Sequence, residues 1–215
     1  MSEPKVIFSY NVGISACEKG EQWQWALTML GEMREAKLEL NVFSYTAAIS
    51  ACGTGKQWQR ALALLMEMCR AKLEPDIISY SASTSACEKG AQWQRALALL
   101  SEMCEVKLKP DVMSYNVGIS ACGKCQEWRR ALALLWEMAG SRLQPNVITC
   151  SAGISACERS GQWRQALSLL SDTREAQVEL ETNMYRSVIP MCEQGGEWER
   201  SLSLLGELWE ARRWC

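Results

Sequence analysis

The chain has 215 residues, 48% of them hydrophobic and 22% charged, with 23 Lys and Arg against 25 Asp and Glu for a net charge of −2, and it contains no histidine. This is an ordinary globular composition, sufficient for one or two compact domains. A near-neutral total excludes polyanion binding by bulk charge, so such a site must come from how charge is arranged, and the absence of histidine removes the commonest general base and the His ligand of a zinc deaminase.

At the N-terminus, "MSEPKVIFSY" has no signal-peptide character, and no apolar run in the chain is long enough to span a bilayer. Patterned sequence begins at Ile7, so the expectation is that any targeting segment has been removed or was never part of this chain. Residues 9–17 read SYNVGISAC and recur unchanged at 114–122. They belong to a longer series: Tyr10, Tyr45, Tyr80, Tyr115 and Tyr185 keep one register, with Cys150 in the vacant slot. Trp23, Trp58, Trp93, Trp128, Trp163 and Trp198 keep the same step of 35 residues, as do Cys17, Cys52, Cys87, Cys122, Cys157 and Cys192. A fixed period of this length marks a solenoid, whose units bury their apolar faces only by stacking on neighbours. The units expected are 7–41, 42–76, 77–111, 112–146, 147–181 and 182–215.

Within the first unit, Ile7, Tyr10, Ile14 and Cys17 recur at helical spacing, and Trp23, Ala26, Leu27, Leu30 and Met33 form a second stripe after Gly20. Each unit therefore reads as a helical hairpin. Turns are expected at Gly20, Gly55, Gly90 and Gly195, where a positive φ is tolerated, and before Pro75, Pro110 and Pro145. Asn41, Asp76, Asp111 and Asn146 stand where N-caps of the next first helix belong. The expectation is an all-α superhelical solenoid whose Ala/Leu-rich second helices lock neighbouring units together, with the Tyr, Trp and Leu columns as core. Six of the eleven cysteines lie on the apolar stripe, where a free thiol behaves as a small hydrophobe suited to a reducing compartment. Cys122 and Cys125 form a C-x-x-C, but no second pair or histidine completes a tetrahedral site, and no metal or cofactor is expected.

A further stripe on the first helix runs Phe8, Asn11, Ser15 and Glu18, one residue round from the core face. In each of the first five units it begins with an apolar residue and continues with small polar ones, which are mediocre helix formers. The residue after the Tyr varies as Asn11, Thr46, Ser81, Asn116, Ser151 and Arg186 while the framework scarcely changes, and the unit ends vary as Asn41, Asp76, Asp111, Asn146 and Glu181. Amides donate and accept, carboxylates only accept, and hydroxyls do both, so the two columns alternate in hydrogen-bonding character. An indifferent polar face and simple capping are the plainer alternatives.

The phrases "KPDVMSYNVGISACGK" and "RALALLWEMAGSRLQPNVIT" resemble the pentatricopeptide repeat family, and the resemblance extends over the whole chain. It implies a right-handed α-solenoid of six helix-turn-helix repeats that binds single-stranded RNA, one base per repeat, without catalysis. It further implies a chloroplast or mitochondrial location, a monomer that does not engage a membrane, and RNA-processing proteins as further partners. Carried over residue by residue, the reading pairs are Asn11 with Asn41, Thr46 with Asp76, Ser81 with Asp111, Asn116 with Asn146, and Ser151 with Glu181. Phe8, Phe43, Ile78, Met113 and Ile148 become the residues that sandwich the bases. The family correspondence links Thr or Ser plus Asp to guanine and Asn plus Asn to a pyrimidine, so the implied target is pyrimidine, G, G, pyrimidine. Lys19, Lys89, Lys124 and Arg159 share one column at the end of the first helix, with Thr54 as the exception, and fit phosphate contacts. They equally complement a helix C-terminus. The last unit departs from the pattern at Asn183, Arg186 and Pro190 and reads as a cap. The rival reading is a helical-repeat scaffold that binds a protein in its concave groove.

Overall fold

The computed structural model describes residues 3–176, 178 and 182–213. Among these residues the chain is all helix and turn: α1 (Glu3–Lys19), α2 (Trp23–Glu35), α3 (Val42–Thr54), α4 (Trp58–Arg70), α5 (Ile77–Lys89), α6 (Trp93–Glu105), α7 (Val112–Lys124), α8 (Trp128–Gly140), α9 (Val147–Arg159), α10 (Trp163–Glu175), α11 (Thr182–Gln194) and α12 (Trp198–Arg213). Odd-numbered helices are the first helix of a repeat and even-numbered ones the second, giving a helical-repeat solenoid. None is long and apolar enough to cross a membrane among the described residues. α1 starts ahead of Ile7, since Pro4 falls in the first turn, where a missing N–H costs nothing.

The chain divides into two compact bodies, Met1–Val117 and Gly118–Cys215. In the first, α1 packs on α3 and α3 on α5, while α2 and α4 each lie against the first helix of their own repeat and of the next. In the second, α9 packs on α11, and α10 lies against both. First helix thus packs on first helix, and the second helices lock neighbouring repeats by bridging to the next first helix, as the sequence pattern led one to expect. The second helices reach one another through long polar side chains: Arg34 pairs with Glu67 at 2.5 Å, Arg60 lies 4.8 Å from the Trp23 ring, and Arg174 pairs with Glu207.

Within a hairpin, the Tyr hydroxyl of the first helix donates to a Glu of the second: Tyr10 to Glu32 at 3.2 Å, Tyr45 to Glu67 at 3.2 Å and Tyr80 to Glu102 at 3.1 Å. The partner lets a phenol be buried without stranding its O–H. Leu30, Leu65, Leu100, Leu135 and Leu170 fill the space behind and are almost wholly buried, each worth about 1.5–3 kcal/mol of transfer free energy. Cys52, Cys87, Cys122 and Cys157 are fully buried, and desolvation pushes Cys52, Cys87 and Cys157 up to about 11 and Cys122 to about 12. At neutral pH these thiols stay protonated and unreactive, as core residues rather than nucleophiles.

The turns differ from the sequence expectation. Gly55 and Gly90 have negative φ, −76° and −86°, and the left-handed residue is the one after, Lys56 and Ala91. Glycine is required at these positions for space instead: a Cβ on Gly55 would lie 2.1 Å from Cδ1 of Trp23, and one on Gly90 would lie 2.4 Å from Cδ1 of Trp58. Trp23, Trp58 and Trp163 lie on the turn glycines of the following repeats; they, Trp93 and Trp128 are half-buried, not core, while Trp198 in α12 is exposed. At the second turn, left-handed Lys72 lets Leu73 N–H reach Met68 C=O at 3.1 Å, a Schellman closure completed before Pro75. Pro190 sits inside α11 on an exposed side, beside exposed Arg186, so the carbonyl it leaves unbonded can face water. α12 exposes Trp198, Leu202 and Trp209, a more apolar surface than a capping repeat's polar outer face.

Candidate functional site

In the first body the first helices carry Phe8, Phe43, Ile78 and Met113 at one register, and in the second body Ile148 holds the same register on α9. All five are 55–69% exposed, so they contribute little to the core and present apolar surface to whatever occupies this face. Three residues on, the side chain is drawn inward to different degrees. Asn11 and Asn116 are buried, whereas Thr46, Ser81 and Ser151 are half-buried.

The ends of the repeats are N-caps. The Asn41, Asp76 and Asn146 backbones are extended, and their side chains accept from the N–H of Ser44 at 3.0 Å, Ser79 at 2.8 Å and Thr149 at 3.0 Å. Asp111 accepts likewise from Ser114 N–H at 2.8 Å. Each such cap contributes about 1 kcal/mol. Glu181 lies outside the described residues. Asn116 belongs to the first body and Asn146 to the second.

Sequence reasoning missed the residues that join the two variable columns. The hydroxyl of Ser79 touches both variable residues of the second repeat: its Oγ lies 2.8 Å from Thr46 Oγ1 and donates to Asp76 Oδ1 at 2.6 Å. Ser114 stands in the same way 3.0 Å from Ser81 Oγ and 2.8 Å from Asp111 Oδ1. Ser44 donates to Asn11 Oδ1 at 2.7 Å, with Asn41 Oδ1 at 3.0 Å. Thus a residue thirty positions from its partner in sequence meets it through the third residue of the next repeat. Thr149 makes the capping half of this arrangement with Asn146 Oδ1 at 2.9 Å. The available signal was the hydroxyl before the Tyr of each of the first four repeats, Ser9, Ser44, Ser79 and Ser114, with Thr149 before Cys150.

Lys19, Lys89, Lys124 and Arg159 are exposed at the last positions of α1, α5, α7 and α9. Thr54, in the same register on α3, turns its hydroxyl back to Ala51 C=O at 2.8 Å. In the second body a cavity of about 330 Å³ between α7 and α9 gathers Lys124, Ile148, Ser151 and Arg159 with Ser120. An apolar platform, small hydroxyls and two cations thus line one recess, a lining suited to a flat ring joined to an anion. In the first body Ser50 donates to Glu18 at 2.5 Å, which places a carboxylate on the same face. No group of three His, Cys, Asp or Glu side chains is placed to hold a metal among the described residues.

The profile described as "Pentatricopeptide repeat domain" matches residues 28–90 and 84–125, and the one described as "PPR repeat" matches residues 8–38 and 113–143. No curated protein matches the chain in sequence. Among solved structures, the pentatricopeptide repeat protein PPR10 from maize is similar with a TM-score of 0.73 over 94% of this chain at 25% identity. PPR10 in complex with an 18-nt psaJ RNA element gives 0.73 at 24% identity. The PPR domain of protein-only RNase P 1 from Arabidopsis thaliana, in complex with tRNA, gives 0.72 at 14% identity over 84% of this chain and 95% of that domain. The chain spans 29% of the length of PPR10. With profile matches running from residue 8 to residue 143, more than half of its length, the chain belongs to the pentatricopeptide repeat family.

Proposed function

We propose that the array binds single-stranded RNA, one base per repeat, with pyrimidine, G, G, pyrimidine as its preferred core. The observation that carries this reading is the pairing itself. In the first body Asn11, Thr46 and Ser81 are each hydrogen-bonded, through one hydroxyl, to the variable residue that ends their repeat, beside an exposed apolar residue. A scaffold for proteins gives no reason to couple two varying columns in this way. The apolar residues stack on bases, the pairs meet base edges, and Lys19, Lys89, Lys124 and Arg159 meet phosphates. Similarity to folds solved with RNA supports the partner. The chain acts by occupying or presenting an RNA segment, in chloroplast or mitochondrial RNA processing, stability or editing, without chemistry of its own.

Fluorescence anisotropy with short labelled RNAs tests this at moderate salt. An RNA containing the core is expected to bind more tightly than a scrambled strand of the same composition. Equal binding of the two would remove the sequence-reading function and leave the scaffold.

A further inference from the structure

The geometry points to Ser79, with its counterparts Ser44 and Ser114, as a positioning residue that sets which hydrogen-bonding character the reading pair presents to a base. This rests on the RNA reading above. A serine hydroxyl has one proton. Asp76 is a carboxylate and only accepts, so the proton of Ser79 goes to Asp76 Oδ1, 2.6 Å away. The remaining contact, 2.8 Å between Ser79 Oγ and Thr46 Oγ1, must then be donated by Thr46. With its only proton committed inward, Thr46 has lone pairs left, and so does Asp76. The second repeat therefore presents acceptors alone. The third repeat reaches the same state, Ser81 donating to Ser114 at 3.0 Å and Ser114 to Asp111 at 2.8 Å. Guanine is the base whose Watson–Crick edge offers two adjacent donors, N1–H and N2–H.

In the first repeat the same serine produces the opposite result. Ser44 donates to the amide oxygen of Asn11 at 2.7 Å, and the amide oxygen of Asn41 is held by Ser44 N–H at 3.0 Å. Both oxygens face inward, and the pair is left with NH2 donors, which suit the carbonyl acceptors of a pyrimidine. The serine is constant, yet the relay reverses because its neighbours change from acceptor-only to amide. Ser79 and Ser44 are fully buried, so they act on a base through the residues they orient.

The alternative is that Ser79 merely caps α5. Binding of the full chain to four RNAs that differ only at the second core base separates the two. For Ser79→Ala the Asp76 cap on the backbone N–H remains, while the Thr46 hydroxyl is released to rotate and donate to adenine N1. The guanine-over-adenine ratio at that base is expected to fall on the order of tenfold, the worth of about one hydrogen bond, with preferences at the other bases unchanged. Ser79→Thr is expected to restore the ratio, since Thr149 makes the capping bonds in its own repeat. An unchanged ratio with a uniform loss of affinity would overturn the inference and leave Ser79 a cap. Should Ser79→Ala lose its helical circular dichroism, Thr46→Val carries the test, because it leaves the cap intact: the guanine preference must fall, and its persistence overturns the relay. The wild-type arm keeps the two ideas apart. Wild-type protein that binds no RNA removes both, whereas selective wild-type binding with an unmoved ratio in the variants removes only the relay.

Discussion

The first and second repeats are built from the same parts. Tyr10 and Tyr45 donate to Glu32 and Glu67, Trp23 and Trp58 lie on the turn glycines of the following repeats, and Asn41 and Asp76 cap the next first helix. Phe8 and Phe43 stand exposed at one register. The difference that matters is confined to Asn11 and Asn41 against Thr46 and Asp76, around a serine common to both. On the proposed relay, framework and content are therefore separable: one set of contacts stacks the repeats, and two side chains in each of the first three repeats decide whether donors or acceptors face outward.

The largest effect is expected from converting one repeat into the other. Thr46→Asn combined with Asp76→Asn gives the second repeat the pair of the first, and the preferred second base should change from guanine to a pyrimidine. The swing is roughly a hundredfold in relative affinity, about tenfold lost and tenfold gained, read by competition between two RNAs. Thr46→Asn alone leaves Asn opposite Asp76 and should move the base toward uracil. Retention of guanine in the double variant would break the comparison outright.

A smaller effect should come from the shared framework. Gly90→Ala places a Cβ against the base of the Trp58 ring, where Cδ1 would be 2.4 Å and Cγ 2.9 Å away. Overpacking of this kind costs about 1–3 kcal/mol, so thermal unfolding should shift down while the base preference of the folded protein stays the same. A changed preference would show that framework and content are not separable. Smallest of all is Lys89→Ala, which should lower the salt slope of binding by about 0.7 without altering preference, as one lost phosphate contact does.

Much of this was legible in a single sequence because a period of 35 residues aligns the chain with itself. The hairpins, the caps at Asn41, Asp76, Asp111 and Asn146, the buried thiols and the exposed Phe8 and Phe43 all follow from column position. What escaped is whatever depends on a neighbouring repeat. Gly55 and Gly90 invited an explanation from backbone freedom, yet their φ values are ordinary, and the constraint is the indole of the preceding repeat. The Trp column looked like core because it is large and periodic, although it sits at the first position of each second helix, over a turn. Ser44, Ser79 and Ser114 were hidden by their constancy: an unchanging hydroxyl beside a buried Tyr reads as framework, and its bond to a residue 33 positions earlier has no local signature.

In the proposed relay the Thr46 and Asp76 pair presents acceptors alone. Equilibrium binding of the wild-type chain to RNAs carrying guanine, adenine, cytosine or uracil at the second core base measures this directly. Guanine should bind best, by about tenfold over adenine, whose N1 is an acceptor facing acceptors. Equal or tighter binding of adenine would contradict the account.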